Sequence, residues 1–487
     1  MKHFLLFLTL ALPATAQLQP NVDAYIERAR VTWEVPGIAV TVVRDGNVVA
    51  AKGYGVRRLG SPERVDENTM FDIASLSKSF TAAAIATLVD EGKMRWDDPV
   101  RRWLPYVEFS DSYRTANVTI RDLLSHRVGV EAGNWMFRIT DYSTEEVLRR
   151  VKYLKEREPF RTSMLYSNVG YTAAGEAAAA AAKMPYVDLV RTRLIEPLGM
   201  RDSTVGVEHA LAPNHVSPHE RIDGVLQPIR NKKAMNILPA NAVNSTAKDL
   251  ARWLLFSLGD GIWNDKGEGK RIVSPESMRE MQSPQTIIAT TPQMRAARNV
   301  QFFAAYGLGW QIMDYRGHAM LWHSGNADGM PVYMCILPVE KIGVAVMLNS
   351  AEAQALHGTI ASRILDSLLG VPPQELPQPP SVTIQPDPPR EQGTSPSRPI
   401  TAYAGVYNDP LYGDLTISES DGKLVLQFAR GDKADLTHWQ YDTFRVRWHD
   451  RAYEWADTLA VFGLDASGNP RRLDMKLYRD MVEAVRK

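Results

Sequence analysis

With 487 residues, the chain exceeds one ordinary hydrophobic core, so a large domain and a smaller companion are expected. Its 45% apolar content is that of a globular protein, and its 56 basic residues are matched by 56 acidic ones. That balance leaves no cationic excess to hold a phosphate backbone, which excludes nucleic acid as an expected partner.

At the N-terminus, Lys2 and His3 precede an apolar run over residues 4–12 and then Ala14-Thr15-Ala16. The pattern reads as a signal peptide over residues 1–16, with export to a periplasm or the exterior. The run is too short for a transmembrane segment, which takes about 20 apolar residues. Since no cysteine follows it, a lipid anchor is not expected. Residues 38–43 and 47–51, joined by Asp45-Gly46, predict a β-hairpin. From 75 to 281 the sequence is helical and loop-rich. Phe80, Ala84, Thr87, Leu88 and Glu91 recur at helical spacing before Gly92, and an alanine-rich helix is expected over 173–184. Strands return at 308–315, 319–323, 332–337 and 342–348, and a helix over 353–369 closes the unit at Gly370. This order predicts that the two ends of the domain, residues 17–370, pair in one antiparallel sheet.

Ten prolines mark 371–399 as an extended, semi-rigid linker. Short alternating segments follow at 403–407, 414–418, 423–428, 435–441, 444–448, 459–464 and 473–478, so residues 400–487 are expected to form a small all-β barrel domain. Trp439, Trp448 and Trp455 are expected as core aromatics of that domain rather than as the lining of a ligand cavity. The single cysteine, Cys335, excludes an intrachain disulfide and is expected as a buried thiol in a strand.

The chemistry is carried by three strings. In Ser75-Leu76-Ser77-Lys78, a hydroxyl and an amine stand at i and i+3 in a first helical turn, on one face. A serine needs a base to become a nucleophile, and a neutral lysine can serve. The unperturbed lysine pKa of about 10.4 must then be lowered by desolvation or a neighbouring cation. At a helix N-terminus the Ser75 N–H also suits an oxyanion. The second string is Tyr166-Ser167-Asn168 and the third His323-Ser324-Gly325, followed by Asn326.

Around them stand Phe71-Asp72-Ile73-Ala74, Phe80-Thr81-Ala82-Ala83, Leu123-Leu124-Ser125-His126, Pro197-Leu198-Gly199-Met200 and Gly307-Leu308-Gly309-Trp310. On these strings, the region from about Asn21 to Gly370 resembles the serine β-lactamase and penicillin-binding-protein superfamily. The branch is the class C-like one, peptidase family S12, with its D-alanyl-D-alanine carboxypeptidases and D-aminopeptidases. The resemblance implies an α/β (α+β) fold, a β-lactamase-like antiparallel sheet flanked by helices beside a helical subdomain. The C-terminal domain is similar to the lipocalin-like module appended to some members.

The resemblance further implies an acyl-enzyme hydrolase. Ser75 is the nucleophile, Lys78 and Tyr166 move protons, and the N–H groups of Ser75 and Asn326 hold the oxyanion. Asn168, Ser324 and Gly325 contact substrate. His323 replaces the lysine of many β-lactamases, and with an unperturbed pKa of about 6.5 it is expected to donate a proton rather than hold a carboxylate. Substrates are expected to be small peptides, amides (D-residues included) or esters, with no cofactor or metal required. A true β-lactamase and a non-hydrolytic penicillin-binding or sensor protein are the alternatives. The barrel is a candidate surface for homo-oligomer formation. His126 is expected as a satisfied structural histidine. His215 and His219 share an i, i+4 spacing, but Pro218 breaks the helix that a metal pair would need.

Overall fold

The computed structural model describes residues 18–263, 269–292, 303–380, 388–420, 422–451, 453, 457–477 and 480–487. The expected signal peptide and Trp455 lie outside the described residues. Among the described residues, no helix is long and apolar enough to cross a membrane.

Helix α1 (Pro20–Thr32) leads into β1 (Gly37–Arg44) and β2 (Asn47–Gly55). Asp45 and Gly46 both adopt positive φ, 49° and 78°, as a two-residue hairpin turn of this twist requires. Six later strands join them: β3 (Thr286–Ile288), β4 (Ala304–Tyr306), β5 (Gln311–Tyr315), β6 (His318–Ala327), β7 (Met330–Leu337) and β8 (Ile342–Leu348). The antiparallel sheet runs β3-β4-β5-β6-β7-β8-β1-β2, with Ile38 opposite Leu348, so the two ends of the domain pair as the sequence order predicts. Strand β5 starts three residues later than expected. Gly309 takes φ +83° there, and a Cβ on it would lie 2.8 Å from the Ser79 Cα, so the chain bends to pass over a helix backbone.

Both faces of the sheet are covered, which is why β7 and β8 are apolar and buried throughout. Ile38, Val40 and Val42 pack in a cluster with α1 and the C-terminal helix, while Ala39 and Val43 share the cluster of the helical subdomain. The helices that position the site are α2 (Ser77–Asp90), α3 (Met136–Ile139) and α4 (Asn168–Ala182), with α5 (Ala247–Leu258) under the sheet and α6 (Gln354–Leu368) closing the unit.

The described parts of the linker carry no regular structure until a 3-10 turn at Ile400–Tyr403, and they are tied to both domains. Trp33 Nε1 donates to the Pro377 carbonyl (3.0 Å), and the Ser397 N–H donates to Asp442 (3.0 Å). Eight strands then close a barrel: β9 (Gly405–Asp409), β10 (Gly413–Ser420), β11 (Lys423–Phe428), β12 (Lys433–Gln440), β13 (Thr443–Trp448), β14 (Thr458–Leu464), β15 (Pro470–Leu477) and β16 (Asp480–Arg486). The sequence pattern marks seven. The eighth puts Asp480 inward and Met481 and Val485 outward, which blurs its alternation, and it completes closure by placing Arg486 opposite Tyr407.

Trp448 sits in the core as expected, its ring 5.2 Å from that of Phe428. Trp439 is buried too, at 7% exposure, but off the strand face of Ala434 and Leu436, under the guanidinium of the linker residue Arg390, 5.2 Å from the ring centroid.

The barrel docks on the helical subdomain of its own chain. Trp135, just before α3, stacks on Trp448 with 5.8 Å between centroids, and its N–H donates to Asp480 Oδ2 (3.3 Å). Lys232 of the catalytic unit pairs with Asp450 of the barrel at 2.7 Å.

Candidate active site

A 3-10 turn, Ala74–Leu76, delivers Ser75 to the mouth of α2, and Lys78 occupies the first turn of the helix itself. The i, i+3 spacing brings Lys78 Nζ to 3.0 Å from Ser75 Oγ. Lys78 is fully buried, and burial alone pushes its amine well below the ordinary lysine range. Its other two contacts are carbonyl oxygens, Asn168 Oδ1 at 2.8 Å and the Ala240 backbone oxygen at 3.2 Å. Both can only accept, so they take two N–H groups of the amine, and Ser75 Oγ stands at its third hydrogen-bonding position.

Tyr166 shares a hydrogen bond with Ser75, and desolvation raises its phenol above the ordinary range despite that bond. The Tyr166 phenol, the Ser75 hydroxyl and the Lys78 amine thus stand side by side. Lys78 Nζ lies 4.8 Å from the Tyr166 ring centroid. Asn168, the first residue of α4, is oriented by its own Nδ2, which donates to Asn134 Oδ1 at 3.1 Å.

The turn holding Ser75 is anchored from below. Asp72 accepts from the Ala74 N–H (2.8 Å), Asn231 Nδ2 (3.0 Å) and Lys233 Nζ (2.9 Å), and the side chains of this ion pair are 3% and 0% exposed. Ala74 carries φ +45°, a conformation a non-glycine residue holds only when its surroundings impose it.

Strand β6 passes beside this turn. Its pairing with β5 stops at Trp322, so residues 323–327 are paired only with β7, and one edge faces the nucleophile. Gly325 permits the approach, because a Cβ there would lie 2.6 Å from the Ile73 carbonyl oxygen and 2.9 Å from the Ser75 nitrogen. Ser75, Asn168 and Asn326 line a cavity of about 620 Å³. Ser324, expected to touch substrate, shares the strand face of Trp322, opposite Leu321 and His323, and does not line this cavity.

His323 also departs from expectation. Nδ1 lies 2.7 Å from the Ser324 carbonyl oxygen and must therefore donate, and Nε2 accepts from the Tyr306 hydroxyl at 2.9 Å. Burial pushes the imidazole down to about 3. His323 is thus neutral with both nitrogens engaged. It is neither a cation for a carboxylate nor a free proton donor, and what it holds is Tyr306.

His126 is only half satisfied. Nδ1 accepts from the Ser167 N–H (3.0 Å), which fixes the proton on Nε2, and that atom has no partner among the described residues. The ring lies 4.4 Å from that of Tyr166. His215 Nδ1 bonds the Ala212 carbonyl (2.6 Å), and both ring nitrogens of His219 are taken by backbone groups. Cys335 is buried in β7, and burial raises its thiol. Asp72, Lys233, Asn134, Ala240 and Tyr306 were not singled out from sequence; only Asp72 stood in a family string.

Buried neutral histidines set the acid response of the fold. An unfolded histidine titrates near 6.5, whereas His323 is lowered to about 3 and His357 to about 4. Between those values the unfolded chain binds protons that the native chain does not, so stability falls as pH drops below about 6.5. Each group contributes up to about 1.4 kcal/mol per pH unit. Urea melts at pH 7 and pH 5 check the sign, and His323→Gln is expected to flatten the slope.

Comparison with known proteins places these residues in context. The beta-lactamase family matches residues 22–368, and a domain of unknown function, DUF3471, matches residues 389–485. The unguisins hydrolase ungD' of Aspergillus campestris is 28% identical over 437 residues, covering 82% of this chain and 78% of that protein. Protein flp of Staphylococcus aureus is 24% identical over 348 residues, covering 69% and 64%. Among solved structures, the octameric penicillin-binding protein homologue from Pyrococcus abyssi superposes with a TM-score of 0.62 at 22% identity, over 95% of this chain and 99% of that one. SurE superposes with a TM-score of 0.59 at 20% identity, over 96% and 98%. At these identities the two structures share a fold with the chain.

Proposed function

The chain belongs to the beta-lactamase family, and on that premise we propose that it is an exported serine hydrolase acting through an acyl-enzyme on peptide, amide or ester substrates. The observation that carries this reading is the environment of Lys78: a fully buried amine with no carboxylate partner among the described residues, 3.0 Å from the Ser75 hydroxyl and held well below the ordinary lysine range. As Ser75 Oγ bonds to the acyl carbon, its proton passes to Lys78. Tyr166 relays a proton to the departing amine or alcohol, and the N–H groups of Ser75 and Asn326 hold the oxyanion. Water then attacks the acyl-enzyme and releases the acid. The names of the Aspergillus relatives support hydrolysis, and unguisins belong in the first substrate screen.

Because Lys78 must be unprotonated, kcat/KM is expected to fall as pH drops through its lowered pKa. A β-lactamase is disfavoured because His323 supplies no cation, and absence of turnover of a chromogenic cephalosporin is the expected result. Self-association through the barrel belongs to the same proposal, and light scattering of the purified chain checks it. The hydrolase reading itself is tested by intact mass after exposure to a fluorophosphonate. One adduct on the wild type is expected, and a folded chain that takes none rejects it.

A further inference from the structure

The cavity in front of Ser75 is walled on one side by the barrel, through Arg430 and Tyr453. Arg430 sits in the turn between β11 and β12. Its N–H donates to the Ile139 carbonyl (3.2 Å), and its Nη1 donates to the carbonyls of Phe137 (3.1 Å) and Arg138 (3.2 Å). The C-terminal carbonyls of α3 thus hold the barrel's arginine at the cavity mouth.

The other cations of the lining are matched by carboxylates. Lys233 is bound to Asp72 at 2.9 Å, Lys232 to Asp450 at 2.7 Å and Arg138 to Asp328 at 3.3 Å. Arg430 has no carboxylate partner among the described residues, and its Nε and Nη2 have no acceptor among them. On the opposite wall the third motif supplies no charge, because His323 is neutral and committed to Tyr306.

Resting on the serine hydrolase reading, we propose that Arg430 makes the barrel part of the active site, as the anchor for a carboxylate on the substrate. A guanidinium with its Nε–Nη2 edge free matches a carboxylate in charge and in planar geometry. The subsite recognises one group, which a substrate can present as its C-terminal carboxylate or as an acidic side chain.

Protection of Ser75 from fluorophosphonate labelling tests this without a known substrate. Three competitors are used in both enantiomers: N-acetylalanine, its carboxamide, and N-acetylglutamic acid α-amide. Each is read against the same variant's own unprotected labelling rate. One of the two acids is expected to protect at concentrations about tenfold or more below the carboxamide, a ratio typical of a charge-assisted contact. Which acid does so identifies the terminal or side-chain source. Arg430→Ala is expected to erase the preference and Arg430→Lys to keep part of it. Equal protection by acids and carboxamide in the wild type overturns the proposal, as does a preference that survives Arg430→Ala. A wild type that takes no label overturns the hydrolase reading instead.

Discussion

Ser75→Ala is expected to abolish the fluorophosphonate adduct and to lower kcat/KM by about 10⁴-fold or more, and Lys78→Met to do nearly the same. The reason is that the two side chains are one device. Ser75 Oγ is 3.0 Å from Lys78 Nζ, and Lys78 spends its remaining hydrogen bonds on Asn168 and Ala240. Residues that act as a unit are not additive, so the double variant should be no slower than the worse single one. Neither change alters the sheet. Far-ultraviolet dichroism and urea midpoints close to wild type for Ser75→Ala, together with lost turnover, are the expected pattern. Turnover near the wild-type rate in Ser75→Ala would remove the serine from the mechanism.

Lys233→Met is expected to cost about 3–5 kcal/mol of folding stability, because it leaves the Asp72 carboxylate buried without its cation. The two side chains are 0% and 3% exposed, so water cannot compensate. The loss should also reach catalysis. Asp72 bonds the N–H of Ala74, whose left-handed φ of 45° sets the turn that presents Ser75. Replacing both partners, as Asp72→Asn with Lys233→Met, should recover part of the stability, since no charge is then stranded. Urea unfolding of the three variants gives the numbers. A Lys233→Met midpoint equal to wild type would mean that the pair is dispensable.

The legible parts of this protein are those with local causes. The β1–β2 hairpin follows from Asp45-Gly46 between apolar runs, and the Ser75–Lys78 contact follows from helical spacing. The sheet's end-to-end pairing follows from the order of hairpin, helices and strands. Helix α1 was equally legible, with Val22, Tyr25, Ile26 and Ala29 at helical spacing behind Pro20, yet it drew no assignment. Strand β16 shows no clean alternation, because Asp480 stands inward with Val482 and Ala484 while the apolar Met481 and Val485 stand outward. Ser324 stands off the cavity because the face a strand residue takes depends on what covers the sheet on each side.

By itself the sequence determined the Ser75–Lys78 contact, the sheet architecture and the all-β companion, since each rests on spacing within a few residues or on segment order. Tertiary structure alone decided protonation and partnership. The Lys78 amine and the His323 imidazole are held below their ordinary ranges because the fold removes them from water, a property that no local pattern encodes. Asp72 meets Lys233 across 161 positions, and Arg430 reaches α3 across 293. Such contacts form only when separate cores pack together, so the wall of the active site that the barrel supplies could be seen only in the folded chain.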